Sequence, residues 1–234
     1  MIHRDLHFDL YFIRHGESES NITPGIAAGK NFDAPMTERG HAQAVALGER
    51  LKREGVKFDR IYSSSLIRAV QTTEGMLRGM GLSDIHFERV DHIIEQQVPA
   101  WRGKLAAEVW TPELRFLSSE KGKWFQPADG ESERAVERRA SNWIEDEIIF
   151  NSGWQEKSGT HTIAIIAHGV TLRTIFHYIT GFDTNFIRRT ELHNCAISRF
   201  KFGPAGWSIV TINDSSHTLE LGDVMRERAA MATP

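Results

Sequence analysis

The sequence predicts an α/β fold, a mostly parallel central sheet flanked by helices, with a C-terminal hairpin and a lid insertion. Three observations carry that prediction. Two short apolar runs, Leu10 to Ile13 and Ile163 to Ala167, are continuous rather than alternating, the pattern of strands covered on both faces. Each run stops at a polar step with glycine, Arg14-His15-Gly16 in the first case and His168-Gly169 in the second. Between them, strand-like and helix-like segments alternate, which favours a parallel sheet with crossover helices.

The elements follow in order. The N-terminal strand ends at Arg14. Thr37 is placed to cap a helix through Ala44, Leu47 and Leu51, with Gly55 as its terminator. Phe58 to Tyr62 is strand-like and leads into Ser63-Ser64-Ser65. Leu66 opens a helix whose Ala69, Val70, Thr73, Met76 and Leu77 share a face, before Gly79. A strand at Ile85 to Val90 precedes an irregular stretch, residues 91–130, that holds Trp101, Trp110, Phe116, Trp124 and Phe125 and is expected to form a lid. Ser132 caps a helix with Val136, Ala140, Trp143, Ile144 and Ile148 on one face, loosening at Asn151. After the strand that ends at His168, a helix from Val170 to Ile179 closes near Gly181. A hairpin pairs Cys195–Phe202 with Trp207–Ile212 across residues 203–206. The chain shows no repeat and no linker, so residues 1–234 are expected to be one domain.

Composition narrows the function classes. The 40% apolar and 25% charged residues are those of an ordinary globular chain. A formal charge of −3, from 28 basic and 31 acidic side chains, offers no global basic excess for a nucleic acid. No apolar run approaches the roughly 18 residues a membrane span needs, and the charged start of the chain does not resemble a secretory signal. The single cysteine, Cys195, makes neither a disulfide nor a thiolate metal cluster and is expected to be a small buried hydrophobe, which favours a cytoplasmic location. The 11 histidines show no compact ligand spacing, so no metal and no cofactor are expected.

Chemistry concentrates where the two apolar runs end. Arg14-His15-Gly16 puts a guanidinium fork, an imidazole and a flexible backbone position together at a strand end. By itself such a tripeptide is also found in surface turns. Its surroundings decide: Phe12-Ile13-Arg14-His15-Gly16-Glu17 with Asn21, Met36-Thr37-Glu38-Arg39-Gly40, and Tyr62-Ser63-Ser64-Ser65-Leu66-Ile67-Arg68-Ala69 with Thr72 come first. Gly130-Glu131-Ser132 with Arg139, Ile166-Ala167-His168-Gly169 and His193-Asn194-Cys195-Ala196 complete the order. Together these resemble the histidine phosphatase superfamily, the phosphoglycerate-mutase-like proteins, from Phe12 to about Asn194.

The resemblance implies roles that suit the residue types. Two guanidinium forks and an imidazole, Arg14, Arg68 and His168, hold phosphoryl oxygens and stabilise charge during transfer. His15 is the nucleophile, a neutral imidazole with one nitrogen held as donor so that the other faces phosphorus. An alkoxide leaves poorly without a proton, so a carboxyl is needed that protonates it and then activates water. Glu95, after the third strand, takes that role, with Glu88 and Asp91 as alternatives because the following Val98-Pro99-Ala100 departs from the family pattern. Asn21 is a candidate phosphate donor, and the backbone at Gly169 and Val170 a candidate anion site, though both residues also suit plain turns and caps. Lys30, Arg39, Arg102, Lys104, Arg188 and Arg189 are candidates for a second acidic group or simple solvated charges. The aromatic residues of the lid suit an apolar substrate wall or plain core equally.

The expected activity is therefore hydrolysis of phosphate monoesters through a phosphohistidine on His15, acting on a small phosphorylated metabolite or a phosphoprotein, without nucleic acid or membrane partners. Two alternatives remain at this stage: a phosphoglycerate mutase, and a non-catalytic phosphoryl-binding regulatory domain. Trp101-Arg102-Gly103-Lys104 departs from the Trp-Arg-Arg-Ser lid of the mutases, and Gly130-Glu131-Ser132 resembles the phosphatase-like branch.

Overall fold

The two continuous apolar runs lie side by side inside a six-stranded sheet. The computed structural model describes residues 5–23, 25–27, 32–155 and 157–222. Its strands are β1 (Leu6–Arg14), β2 (Arg60–Ser64), β3 (Glu88–Val90), β4 (Gly159–Ala167), β5 (Ile197–Gly203) and β6 (Gly206–Asp214), ordered β3-β2-β4-β1-β5-β6. The first four in that order are parallel, β5 adds antiparallel to β1, and β6 adds antiparallel to β5. The longer α-helices are α1 (Glu38–Arg53), α2 (Ile67–Met80), α3 (Pro112–Lys121), α4 (Glu133–Ile144), α5 (Gly169–Thr180) and α6 (Thr184–Arg189).

Side chains sort by the two-residue period of a strand, and helices cover both faces. Phe8, Leu10 and Phe12 of β1 join Ile163, Ile165 and Ala167 of β4 in one core with Trp143, Phe176 and Phe200. Tyr11, Ile13, Ala164 and Ile166 point to the other face and meet Leu47 and Leu51 of α1 and Met76 and Leu77 of α2. Each fully buried large apolar side chain contributes about 1.5–3 kcal/mol, which is why these strands carry no polar alternation. Cys195 sits fully buried in the second core, as its type suggests.

Local signals place most boundaries. The Thr37 hydroxyl accepts the Gly40 N–H at 3.1 Å and the Ser132 hydroxyl accepts the Ala135 N–H at 3.1 Å, starting α1 and α4, and α5 stops at Gly181. Other boundaries differ. The second strand begins at Arg60, not Phe58, and the third is only Glu88–Val90. Helix α2 does not stop before Gly79 but continues to Met80 and ends at Gly81, whose φ is +77°. Gly79 serves packing instead: a Cβ there would lie 2.3 Å from the Val45 carbonyl oxygen on α1. Residues 91–130 hold α3 and several single helical turns, where an irregular stretch was expected, and α6 has no counterpart in the sequence expectations.

The topology sets up the site. Strands β1 and β4 are parallel neighbours with Arg14 paired to Ala167, so the next residue on each is a histidine at the same sheet edge. The His15 N–H donates to the Ala167 carbonyl at 3.0 Å, and the rings of His15 and His168 lie 5.0 Å apart. This is the carboxyl edge of the parallel strands, where ligand sites of open α/β sheets form.

Candidate active site

His15 is buried, and its two nitrogens have different partners. Nδ1 lies 2.7 Å from the Gly16 carbonyl oxygen, an obligate acceptor, so this nitrogen carries the proton. Nε2 receives the Nε–H of Arg68 at 3.2 Å, so it holds a lone pair. Burial, then the charges of Arg68 and Arg14, push the imidazole well below its usual range, and the ring is neutral. The turn before β5 fastens this strand end: the Asn194 amide donates to the His15 carbonyl at 3.0 Å, and Arg14 N–H donates to Ala196 O at 3.2 Å. Gly16 N–H donates to the Thr72 hydroxyl at 2.9 Å, tying the loop to α2.

Two guanidinium groups flank the imidazole. Arg14 donates through Nη1 to the Leu192 carbonyl at 2.5 Å, and Arg68 through Nη1 to the Phe32 carbonyl at 2.7 Å. Both are more than nine-tenths shielded from solvent. His168 is fully buried, with its ring packed beside that of His15. Its Nε2 pairs with the Ser64 hydroxyl at 2.7 Å, while Nδ1 has no partner among the described residues. Burial and the charges of Arg68, His15 and Arg14 push this imidazole well below its usual range too.

Glu95 enters the cavity from the segment after β3. Its carboxylate accepts the N–H groups of Gln96 at 2.9 Å and of Val170 and Thr171, each at 3.2 Å. The first turn of α5 thus faces a protein carboxylate, which corrects the expectation that the Val170 N–H is open to an anion. Gly169 itself lies between Arg14 and Glu95, since a Cβ there would stand 3.7 Å from Arg14 Nε and 3.9 Å from Glu95 Oε2. The alternatives are placed elsewhere: Glu88 is exposed on β3, and Asp91, also exposed, accepts the Ser65 hydroxyl.

Gly130, Glu131 and Arg139 do not line the cavity but brace the Glu95 segment. Arg139 donates to the carbonyls of His92 at 2.7 Å and Glu95 at 3.2 Å while its Nε holds Glu131 at 2.8 Å. Glu131 in turn accepts the Gln97 N–H, and a Cβ on Gly130 would lie 2.9 Å from the Gln97 carbonyl oxygen. In the sequence these residues mark only a helix start and a downstream arginine. Ser64 and Thr171 were missed as partners of His168 and Glu95, and only the paired strand ends bring them within reach.

The cavity measures about 560 Å³. Arg14, His15, Arg68 and Glu95 form its inner end with Asn21, whose carbonyl oxygen accepts the Asn194 amide at 3.3 Å. Trp101, Trp110, Phe125 and Phe32 line the outer part, so these lid rings form a wall rather than plain core, whereas Phe116 and Trp124 are exposed and do not line it. Among the candidate basic residues, Arg102 and Arg188 reach the cavity. Lys104, Arg39 and Arg189 do not, and Lys30 lies outside the described residues. No helix among the described residues is long and apolar enough to cross a membrane.

A neutral imidazole between two guanidinium groups, faced by a carboxylate at the carboxyl edge of a parallel sheet, defines an α/β protein with a histidine-centred anion site. The chain belongs to the histidine phosphatase superfamily (branch 1), whose sequence profile matches residues 10–215. A 2,3-bisphosphoglycerate-dependent phosphoglycerate mutase of Bartonella tribocorum is 31% identical over 202 residues, 83% of this chain and 92% of that protein. Among solved structures, a phosphoserine phosphatase of Entamoeba histolytica in complex with 3-phosphoglyceric acid matches with TM-score 0.74 at 23% identity, covering 91% of this chain and 100% of its own. A phosphoglycerate mutase of Bacillus anthracis matches with TM-score 0.74 at 21% identity, covering 93% and 98%. The fold of those structures is therefore the fold of this chain.

Proposed function

We propose that this chain is a phosphatase that hydrolyses phosphate monoesters through a phosphohistidine on His15, and that residues 1–234 form one such catalytic domain. The observation that carries the reading is the fixed tautomer: Nδ1–H is held by Gly16 O and the Nε2 lone pair stands between the guanidinium groups. In the first step Nε2 attacks phosphorus and the P–O bond to the alcohol breaks, the leaving oxygen taking a proton delivered through the Glu95 carboxyl group. In the second, water attacks phosphorus and gives a proton to Glu95, the P–Nε2 bond breaks with its electron pair returning to the imidazole, and phosphate leaves with His15 restored. Arg14 and Arg68 neutralise the equatorial oxygens, and Nδ1 of the buried His168 is the ring nitrogen left for one of them. Asn21 and the Gly169 backbone position complete the phosphate end. The substrate is a small phosphorylated metabolite, and a reducing cytoplasm suits a chain whose single cysteine, Cys195, is buried.

A second reading, transfer to another hydroxyl as in a phosphoglycerate mutase, is favoured by the names of the sequence relatives. The outer cavity weighs against it. A bisphosphorylated intermediate needs a second cationic site, yet Arg188 is held by both oxygens of Glu133 at 3.0 Å. Wild type and His15→Ala are compared on a panel of phosphate monoesters that includes 3-phosphoglycerate and phosphoserine, following free phosphate and product isomers. Phosphate release that is lost in the variant supports hydrolysis through His15. Isomer without release makes the chain a mutase, and tight binding without turnover makes it a phosphoryl-binding domain.

A further inference from the structure

We infer that the site selects esters of alcohols that carry a ring or another flat apolar body, over small acidic leaving groups; this rests on the phosphatase reading above. Outside the phosphate end, the cavity is walled by aromatic rings. Trp101 and Trp110 meet edge to face at 4.8 Å, and Phe125 lies stacked on Trp101 at 6.5 Å. All three, packed together, line the open cavity. Their segment is tied to the loop after β1 by Ala27 N–H to Lys104 O at 2.9 Å and Ala106 N–H to Gly25 O at 2.6 Å, so the wall is held in place. A volume of about 560 Å³ falls in the range of roughly 300–1,000 Å³ that takes drug-sized ligands, far more than a phosphate and a three-carbon acid fill.

Charge points the same way. A carboxylate on the leaving group meets two cations in the outer cavity among the described residues, Arg102 and Arg188. Arg188 is neutralised by Glu133, which itself lines the cavity, and Arg102 is exposed and lies over the Phe32 ring at 5.2 Å. An acid there gains little from a screened cation and faces a carboxylate nearby. A ring gains dispersion and apolar burial against indole and phenyl faces.

The test compares 2-phenylethyl with ethyl phosphate, whose alkoxides are close in basicity, so that binding, not chemistry, decides between them. Initial rates are measured with 2-phenylethyl phosphate, ethyl phosphate, phosphoserine and 3-phosphoglycerate. The phenyl ester is expected to exceed ethyl phosphate in kcat/KM by about 30-fold, mostly through KM, because a ring contact is made equally before and during transfer. Trp101→Ala narrows that ratio to about threefold, and Trp101→Phe, which keeps a ring, retains most of it. Ethyl phosphate or 3-phosphoglycerate turning over as well as the phenyl ester overturns the inference and leaves the phosphatase reading standing. No phosphate from any of the four overturns the phosphatase reading and the inference with it.

Discussion

Replacing Arg68 by alanine removes a buried positive charge, the Nε–H bond to His15 Nε2 at 3.2 Å and the Nη1 bond to Phe32 O at 2.7 Å. A preorganised donor at a developing oxyanion is worth about 2.7–4 kcal/mol, so kcat is expected to fall about 10²- to 10³-fold. A second effect runs through His15. After burial, Arg68 is the largest cause that holds this imidazole below its usual range, so its loss lets the ring protonate at higher pH. The acid limb of kcat/KM, which reports the free enzyme, then moves up toward the ordinary imidazole value of about 6.5. Arg68→Lys keeps the charge but not the fork, so its acid limb stays near that of wild type while kcat falls less steeply. Phosphate release across about pH 4.5 to 8 measures both effects for the three proteins. An Arg68→Ala enzyme within about threefold of wild type in kcat, with an unmoved acid limb, would refute the placement of Arg68 against the nucleophile.

Three further outcomes follow from the same geometry. Arg139→Ala frees the carbonyls of His92 and Glu95, and kcat is expected to drop about 10- to 100-fold with KM nearly unchanged, partly restored in Arg139→Lys; a KM effect alone would show that Arg139 does not position Glu95. His15 and His168 have folded values below their unfolded ones, so below about pH 6.5 the unfolded chain binds protons that the folded chain does not. Stability is thus lost as pH falls, by about 1.4 kcal/mol per pH unit for each ring, and urea unfolding of His15→Asn at several pH values should show a slope shallower by that amount. Gly48→Ala places a Cβ 2.0 Å from the Met76 carbonyl oxygen, forcing α1 and α2 apart, and a loss of about 1–3 kcal/mol or more is expected by thermal or urea unfolding.

The parts of the site legible in the sequence are those carried by strand ends. Leu10 to Ile13 and Ile163 to Ala167 are apolar because both sheet faces are covered, and that continuity marks where each strand delivers its histidine. Glu95 was harder, because the segment that carries it has no repeat of its own and is fixed by Arg139 and Glu131, residues more than 30 positions away in sequence. Helix α3 packs no fully buried side chain, so its apolar pattern is weak, although Thr111-Pro112 is a start signal that was available. Likewise α6 announces itself only through the Asp183 cap, and its consequence, Arg188 at the cavity mouth, depends on tertiary packing. Gly79 misled because a glycine needed for close helix contact looks the same in sequence as one needed for a left-handed turn.

The most direct test of the central claim is to trap the enzyme during turnover and locate the phosphoryl group. Wild type quenched in base within the first turnovers of a 2-phenylethyl or phosphoserine ester, digested and mapped by mass spectrometry should carry an acid-labile phosphate on the peptide containing His15. The same label should be absent in His15→Asn. A phosphate on any other residue, or steady hydrolysis by His15→Asn at the wild-type rate, would contradict a mechanism built on the neutral imidazole held between Arg14 and Arg68.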